Sequence, residues 1–231
     1  KNKNGSSCSL VVLLALYLYE MRYELGVNKM ESITKLSENE IRPVSLLEKQ
    51  DQCLQNDIRK LLEYKNEFVD VLCPACGASS FCVKFNKYEL TYVECCNCQT
   101  IYVNPRPTPE ILDIYYKTSE NYAYWNKYIF PASEENRRKK IFLPRVERIL
   151  EFCHEYNVGH DCLLEVGAGF GTFCKEMQAK SYFKRIIAVE PTPDLANTCR
   201  NKGLEVIEKP IEQVNLSDQK IDIIVSFFLL M

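Results

Sequence analysis

The sequence lacks three features that would assign a protein to a broad class at once. Its 231 residues carry a net charge of only −2, so no overall basic field is available to attract nucleic acid. No apolar run reaches the roughly 20 residues that a membrane-spanning helix needs. No internal repeat or low-complexity segment is visible either. What remains, with 46% apolar and 26% charged residues, is the composition of a soluble globular protein of one or two domains.

The longest apolar stretch is "CSLVVLLALYLY" at residues 8–19. With Lys1 and Lys3 ahead of it, the stretch imitates the apolar part of an export signal, but no A-x-A-like cleavage site follows. Met30 is an alternative start, which would make the preceding residues upstream translation. A buried or artefactual segment and a membrane or export role both stay open, and we expect no stable membrane span.

Cysteine, in contrast, is abundant, with 12 residues whose spacing decides their meaning. Cys73-x-x-Cys76 and Cys95-x-x-Cys98 are separated by eighteen residues, a spacing typical of zinc ribbons. Each pair forms a tight knuckle that directs two thiolates to one point. Four thiolates complete a tetrahedral Zn²⁺ site and leave no open coordination position, so the predicted zinc is structural.

The remaining cysteines do not fit the metal pattern. Cys82 and Cys96 lie near the knuckles as spare thiols, and pairing Cys96 with Cys98 would give a poorer chelate. Five others are expected to be small buried hydrophobic residues, namely Cys53, Cys153, Cys162, Cys174 and Cys199. Reduced thiols predict a reducing compartment, most simply the cytoplasm.

The chain divides into four predicted segments. Residues 1–70 are an N-terminal helical segment of uncertain structure, and residues 71–108 are the zinc-ribbon unit. Residues 109–160 form a helical linker or lid, and residues 161–231 hold part of a Rossmann-like domain.

Two long helices are predicted before the Rossmann-like part. The first covers 45–64, with Ser45 as N-cap and Glu48 completing a capping box. The second covers 133–157, with Pro144 as a kink or a late first turn. Its run "RRKK" at 137–140 is interpreted as a solvated helix face, with a phosphate-contacting patch as the alternative.

Beyond Asp161 the pattern alternates between strand, turn and helix. The apolar runs "CLLEV", "RIIAVE", "LEVI" and "IDIIVSFFLL" predict strands, with helices at 170–180 and 193–202 between them. Nearly continuous apolar strands separated by helices favour a parallel sheet buried on both faces. The predicted fold class is therefore α/β, an incomplete doubly wound Rossmann-like sheet preceded by a small zinc ribbon and helices.

The stretch "LLEVGAGFGTF" predicts a ligand-binding turn after the first of these strands. A dinucleotide fingerprint requires a third glycine where this chain has Thr172. Glu165, at the end of the strand, would repel a pyrophosphate and suits an ammonium group. Glu190 ends the next strand, where a carboxylate accepts hydrogen bonds from both ribose hydroxyls. An ammonium site beside a ribose site describes S-adenosylmethionine better than NAD.

Residues 163–226 resemble the cofactor-binding half of the class I S-adenosylmethionine-dependent methyltransferases. "LLEVGAGFGTF" is similar to their first motif, "AVEPTPDLA" to their second, and "IDIIVSFFLL" to their fourth-strand motif. The cysteine unit followed by "IYVNPRPTPEILDIYY" resembles the zinc-binding N-terminal segment of a bacterial subgroup that includes sugar C-methyltransferases.

The resemblance implies a role for each residue of the turn. Glu165 would reach the ammonium group and Glu190 the ribose, each with a structural alternative: a bond to backbone amides of the turn and a strand-end cap, respectively. The methionine part and the adenine would be lined by Gly167, Ala168, Gly169, Gly171 and Pro191, with Thr192 as an alternative to Pro191.

The implied function is methyl transfer to a small molecule, a sugar nucleotide or a related glycan precursor. An RNA methyltransferase, or a nucleic-acid-binding protein that stacks bases on aromatic residues of the ribbon, is the alternative. These aromatic residues are Phe81, Phe85, Tyr88 and Tyr92. An NAD-dependent oxidoreductase fits the sheet and Glu190, but not Glu165 or Thr172.

No catalytic base is identified. The family's acid–His pair is expected after the last strand, where the sequence ends, so we expect a piece of a longer protein that is inactive by itself. His154 and His160 are expected to have core or surface roles. The aromatic residues Tyr122, Tyr124 and Trp125 are expected to form either a lid over the methyl donor or an ordinary packing surface.

Overall fold

The structure is a computed structural model that describes residues 36–217 and 219–227. It divides into two compact units: Glu48–Asn121, and the rest of the described chain. The apolar stretch 8–19 and Met30 lie outside the described residues, and the four-segment division stays a prediction. No helix among the described residues is both long enough and apolar enough to cross a bilayer.

The first unit contains the predicted zinc-ribbon sequence. After helix α2 (Val44–Leu62), strands β1 (Phe81–Lys87), β2 (Leu90–Cys95) and β3 (Ile101–Val103) form an antiparallel sheet in that order, followed by helix α3 (Pro109–Thr118). The hairpin predicted between the cysteine pairs is therefore confirmed.

The predicted N-cap of α2 is wrong. The helix begins at Val44, so Ser45 lies within it. The amide of Val44 donates a hydrogen bond to Asn39 Oδ1 over 3.0 Å, which supplies the acceptor that a cap would provide. A capping box does occur, but on the short preceding helix α1 (Glu38–Ile41), between Ser37 and Glu40.

The long helical stretch begins before the predicted start at residue 133. It runs through α4 (Glu120–Tyr124), α5 (Phe130–Arg137) and α6 (Leu143–Glu155), joined by π-helical turns at Trp125–Ile129 and Arg138–Phe142. Ser133 does not cap a helix because its hydroxyl donates to the Ile129 carbonyl one turn earlier, over 2.6 Å. Pro144 lies in the first turn of α6, where its missing N–H is tolerated.

The C-terminal part is the predicted α/β sheet. Strands β4 (Cys162–Val166), β5 (Arg185–Val189), β6 (Glu205–Ile207) and β7 (Ile223–Ser226) are parallel, in the order β6–β5–β4–β7. Helix α7 (Thr172–Ala179) connects β4 to β5, and α8 (Pro193–Asn201) connects β5 to β6. The fold class is confirmed.

The strand order determines where a ligand would lie. The chain adds β5 and β6 on one side of β4 and then returns to place β7 on its other side. In open parallel sheets, ligands bind at the carboxyl ends of the strands beside such a reversal. The turn after β4, which carries the glycines, is at this position.

The sheet is apolar on both faces. Leu163 packs with residues of α6, α7 and α8 on one face, while Leu164 and Ile187 lie in a second cluster on the other. Within the described residues, partly buried side chains of the stretch 207–224 pack against that second cluster. The prediction of burial is confirmed for five cysteines: Cys53, Cys153, Cys162, Cys174 and Cys199.

Candidate cofactor and metal sites

The glycine turn follows β4 directly and is attached to the neighbouring strand. The amides of Gly167 and Ala168 both donate to the Val189 carbonyl, over 2.8 and 3.1 Å. Gly169 and Gly171 have φ angles of +56° and +74°, a left-handed conformation that disfavours any residue with a Cβ. Successive glycines allow the chain to reverse within a few residues and start α7 at Thr172.

Gly171 is the most demanding position of the turn, and its replacement by alanine is expected to destabilise the protein by ~3 kcal/mol. A Cβ there would lie 2.8 Å from Cys199 Sγ and 2.9 Å from Leu204 Cδ1. Urea unfolding would measure the change. Gly169→Ala is the matched control, expected to cost ~1 kcal/mol, because its Cβ would meet nothing within 4 Å. An equal decrease in the free energy of unfolding in the two variants would contradict this explanation.

Glu190 holds the glycine turn against the start of α8. Its Oε2 accepts the Gly169 amide over 2.7 Å and its Oε1 accepts the Thr192 amide over 2.9 Å. The side chain is 5% exposed, and burial raises its pKa although both amides act in the opposite direction. Each carboxylate oxygen has a further lone pair, so these contacts are compatible with binding a ligand hydroxyl as well.

Glu165 lies inside the same region and is more deeply buried, at 3% exposed. Its Oε2 accepts a hydrogen bond from the Cys174 thiol over 2.9 Å. Burial raises its pKa to about 8, against the lowering effects of Cys174 and of the positive charge on Arg145. The negative charge of Glu190 adds to the rise, as expected for two carboxylates that lie close together.

The structure thus brings the predicted cofactor residues together at one edge of the sheet. Ala168 is buried, Pro191 is half-buried, and Thr192 is buried with its amide on Glu190. The individual role of each residue toward a cofactor stays a prediction.

Residues that no motif indicated also contribute to this region. Arg145 of α6 lies with its guanidinium carbon 4.7 Å from the ring centroid of Phe227, just beyond β7. Phe170, within the glycine turn, stacks on Phe130 of α5 at 5.2 Å and 28°. Arg145 belongs to α6, whose amphipathic pattern predicts only burial, and Phe130 is one of several aromatic residues at 121–130, so the sequence carried no specific signal for these contacts.

The aromatic stretch predicted as a lid or a packing surface lies on helical backbone. Tyr124 packs on Tyr128, and Trp125 packs on Phe130, with centroid distances of 4.8 and 5.2 Å. Asn126 connects the stretch to α8, donating to the Asp194 carbonyl over 3.1 Å. The contact with the glycine turn is made by Phe130, which the sequence analysis did not single out.

The two histidines have surface roles, as predicted. Both are exposed, and both contact Tyr182: His160 stacks on its ring at 4.1 Å, and His154 meets it edge-on at 5.3 Å. They lie just before β4, at the opposite end of the strand from the glycine turn.

The four predicted metal ligands form one cluster in the other unit. The sulfur atoms of Cys73, Cys76, Cys95 and Cys98 all lie within 4.8 Å of one another. The Cys73–Cys98 and Cys76–Cys95 separations are 3.5 and 3.6 Å. A tetrahedral zinc ion with bonds of about 2.3 Å places its sulfurs about 3.8 Å apart. The cluster therefore has the dimensions of a zinc site.

Both knuckles have the same backbone geometry. Gly77 donates to the Cys73 carbonyl and Gln99 to the Cys95 carbonyl, each over 2.9 Å. Both donors are left-handed, with φ of +72° and +62°. The Thr100 hydroxyl, 3.1 Å from Cys98 Sγ, lowers the pKa of that thiol to about 6. The exposed thiols Cys82 and Cys96 lie outside the cluster, as predicted.

Known proteins include one matching family and a similar solved structure. The sequence profile of the methyltransferase domain family matches residues 164–231. No curated protein matches the sequence. A solved S-adenosylmethionine-dependent methyltransferase from Clostridium acetobutylicum is similar, with 24% identity and a TM-score of 0.37 over 44% of this chain. The chain spans about 43% of the length of that structure. Residues 164–231 are therefore similar in sequence to a methyltransferase domain.

Proposed function

We propose that the chain is an S-adenosylmethionine-dependent methyltransferase whose acceptor is a small molecule, a sugar nucleotide or a related glycan precursor. The observation that carries the proposal is the pair of buried carboxylates, Glu165 and Glu190, beside the glycine turn at adjacent strand ends. A cofactor that carries an ammonium group and a ribose would provide a partner for each carboxylate, the ammonium group for Glu165 and the ribose for Glu190.

The residues present fit this cofactor. A Cβ at Gly169 would meet nothing within 4 Å, so the glycine leaves space at the turn that a ligand would fill. With a pKa of about 8, Glu165 is mainly neutral at pH 7 in the free protein. An ammonium group favours the ionised carboxylate, so binding would move the Glu165 proton to solvent.

When bound, S-adenosylmethionine supplies a methyl group that is already electrophilic. The chain then has three tasks: to hold the amino acid part near Glu165, to hold the ribose at Glu190, and to exclude water. Packing of Phe130 on Phe170 supports the last task, because it keeps a helix against the turn.

Calorimetric titration at pH 7 tests the cofactor assignment. S-adenosylmethionine should bind and release about one proton, detected as a heat that changes with the ionisation enthalpy of the buffer. Glu165→Gln, which has no proton to release, is the control. Binding of NAD in place of the sulfonium compound would overturn the assignment.

The nature of the acceptor is supported by the resemblance of the cysteine unit to that of sugar C-methyltransferases. In the ribbon, Phe85 stacks on Tyr92 at 4.7 Å and 17°, whereas Phe81, Phe85 and Tyr88 are exposed, so RNA is the alternative acceptor to test. Incubation with methyl-labelled cofactor and a panel of sugar nucleotides should label a member of the panel. Full cofactor affinity with labelling of RNA instead would contradict the small-molecule acceptor.

We propose further that the four-cysteine cluster binds a structural zinc ion. Its thiolate donors are those that zinc prefers, and a closed set of four leaves no position for substrate. The metal would stabilise the three-stranded sheet, whose own buried cluster is small: Cys73, Val93, Cys95 and Tyr102.

A further inference from the structure

The basic run at 137–140 is not the uniform solvated helix face that its sequence predicts. Three of its residues face carboxylates, in the pairs Arg138–Glu135, Arg138–Glu176, Lys139–Glu135 and Lys140–Glu40. Arg137 differs, since it is only 8% exposed. The prediction is therefore wrong for Arg137, and the burial of this one residue needs an explanation.

Arg137 is held by neutral groups alone. Its Nε donates to Ser133 Oγ over 3.0 Å, and its Nη2 donates to the Ile41 carbonyl over 2.9 Å. Among the described residues, no carboxylate pairs with it, and its Nη1 has no hydrogen-bond partner. A buried guanidinium without a counter-charge is unfavourable, and proteins usually retain such a group when something else supplies the negative charge.

A second guanidinium shares the same aromatic ring. The guanidinium carbons of Arg42 and Arg137 lie 5.5 and 5.4 Å from the centroid of Trp125. Arg42 has an exposed ion pair with Glu38, which contributes little in solvent. Burial, together with the charge of Arg42, lowers the pKa of Arg137 to about 10. The positive charge of Arg42 therefore acts on Arg137, as expected for two guanidinium groups that share one ring.

The backbone at this position is also unusual. Trp125 is the first residue of one π-helical turn, and Arg137 immediately precedes the other. Such turns are rare and occur frequently at functional sites. They place Trp125 and Arg137 at the two ends of the α5 region, with their side chains in contact.

Arg137 lies one aromatic ring away from the proposed cofactor turn. Arg137 is 5.3 Å from the ring of Phe130, and Phe130 stacks on Phe170 between Gly169 and Gly171. A group bound by Arg137 would therefore be about one aromatic layer from the turn.

We propose that Arg42 and Arg137 bind an oxyanion, a phosphate or a carboxylate, that belongs to the methyl acceptor. The oxyanion site itself stands on the geometry above, whereas its assignment to the acceptor rests on the proposed function. Guanidinium groups are suited to this because their planar N–H groups match the oxygens of phosphate and carboxylate. A sugar nucleotide carries such a group in its diphosphate.

Trp125 provides a direct readout, because it is the only tryptophan in the sequence. The full chain is titrated with pyrophosphate, inorganic phosphate and malonate at constant ionic strength, and the tryptophan emission is recorded. We expect a saturable change with at least one of these anions. The phosphate and malonate arms show whether the site takes a phosphate or a carboxylate. No saturable change with any of the three would overturn the proposal.

Arg137→Lys keeps the charge but loses the planar group, and should weaken anion binding about tenfold. Arg42→Gln, at an exposed position, should also weaken anion binding. Arg138→Gln is the matched control, one position along the helix, and should bind as the wild type does. Equal binding in all four proteins would overturn the proposal.

The outcome can be separated from that of the proposed function. Anion binding needs no cofactor, so a saturable anion site in a protein that does not bind S-adenosylmethionine would retain the site and reject the methyltransferase function. Cofactor binding without an anion response would reject the anion site and retain the methyltransferase function.

Discussion

Replacing Cys95 by serine is expected to abolish zinc binding and to unfold the three-stranded sheet. Cys95 is 1% exposed, and its sulfur lies 3.6 Å from that of Cys76. Structural zinc contributes ~10 kcal/mol or more to the folding of small domains at neutral pH. Wild-type protein should contain about one equivalent of zinc. The variant should contain almost none, and amides of β1–β3 should exchange rapidly with solvent.

Cys96→Ser is the matched control for this experiment. Cys96 is the adjacent residue, but it is exposed and lies outside the cluster, so zinc content and amide protection should be unchanged. Less than about half an equivalent of zinc in freshly purified wild-type protein would refute the metal site itself. Equal zinc content in Cys95→Ser and wild type would exclude Cys95 as a ligand.

Replacing Glu190 by glutamine is expected to weaken S-adenosylmethionine binding about a hundredfold. Both carboxylate oxygens accept backbone amides, from Gly169 and Thr192. A glutamine offers one acceptor oxygen and one NH₂ group, so one of the two amides would face a donor. The turn would lose an anchor, and the ribose would lose a carboxylate acceptor. Calorimetric titration of the variant measures the affinity.

Glu205→Gln is the control for Glu190→Gln. It makes the same chemical change on the neighbouring strand β6, at a half-exposed side chain that pairs with Arg185. Cofactor affinity should stay at the wild-type value because the pair is on the surface. Unchanged affinity in Glu190→Gln would contradict a role for Glu190 in cofactor binding.

The sheet could be predicted from the sequence because each strand is an apolar run. "CLLEV" and "RIIAVE" become β4 and β5 with shifts of at most one residue, since parallel strands covered on both faces need little else. The first residues of the helices were harder to predict from the sequence than the strands. The helix predicted from residue 133 begins earlier, and the predicted cap at Ser45 lies inside α2. At each position a different local hydrogen bond forms: the Val44 amide donates to Asn39 Oδ1, and the Ser133 hydroxyl donates to the Ile129 carbonyl.

The sequence predicted those residues of the candidate site that lie at the ends of strands. Glu165 and Glu190 follow apolar runs, so their positions at one edge of the sheet follow from parallel pairing alone. The contacts of Arg145 and Phe130 were not predictable, because Arg145 is one residue of an amphipathic helix and Phe130 is one of several neighbouring aromatic residues. Their contacts depend on how α5 and α6 pack.

The sequence by itself determined the parallel sheet, the glycine turn, its two acids and the four cysteines that cluster. These features follow from the spacing of residues along the chain, because the regular geometry of strands and tight turns fixes where such residues lie. Only the tertiary structure decided that Arg137 is buried while its neighbours in "RRKK" are ion-paired. Four adjacent cations look alike in sequence, and they differ only in what lies opposite each of them after the helix has packed.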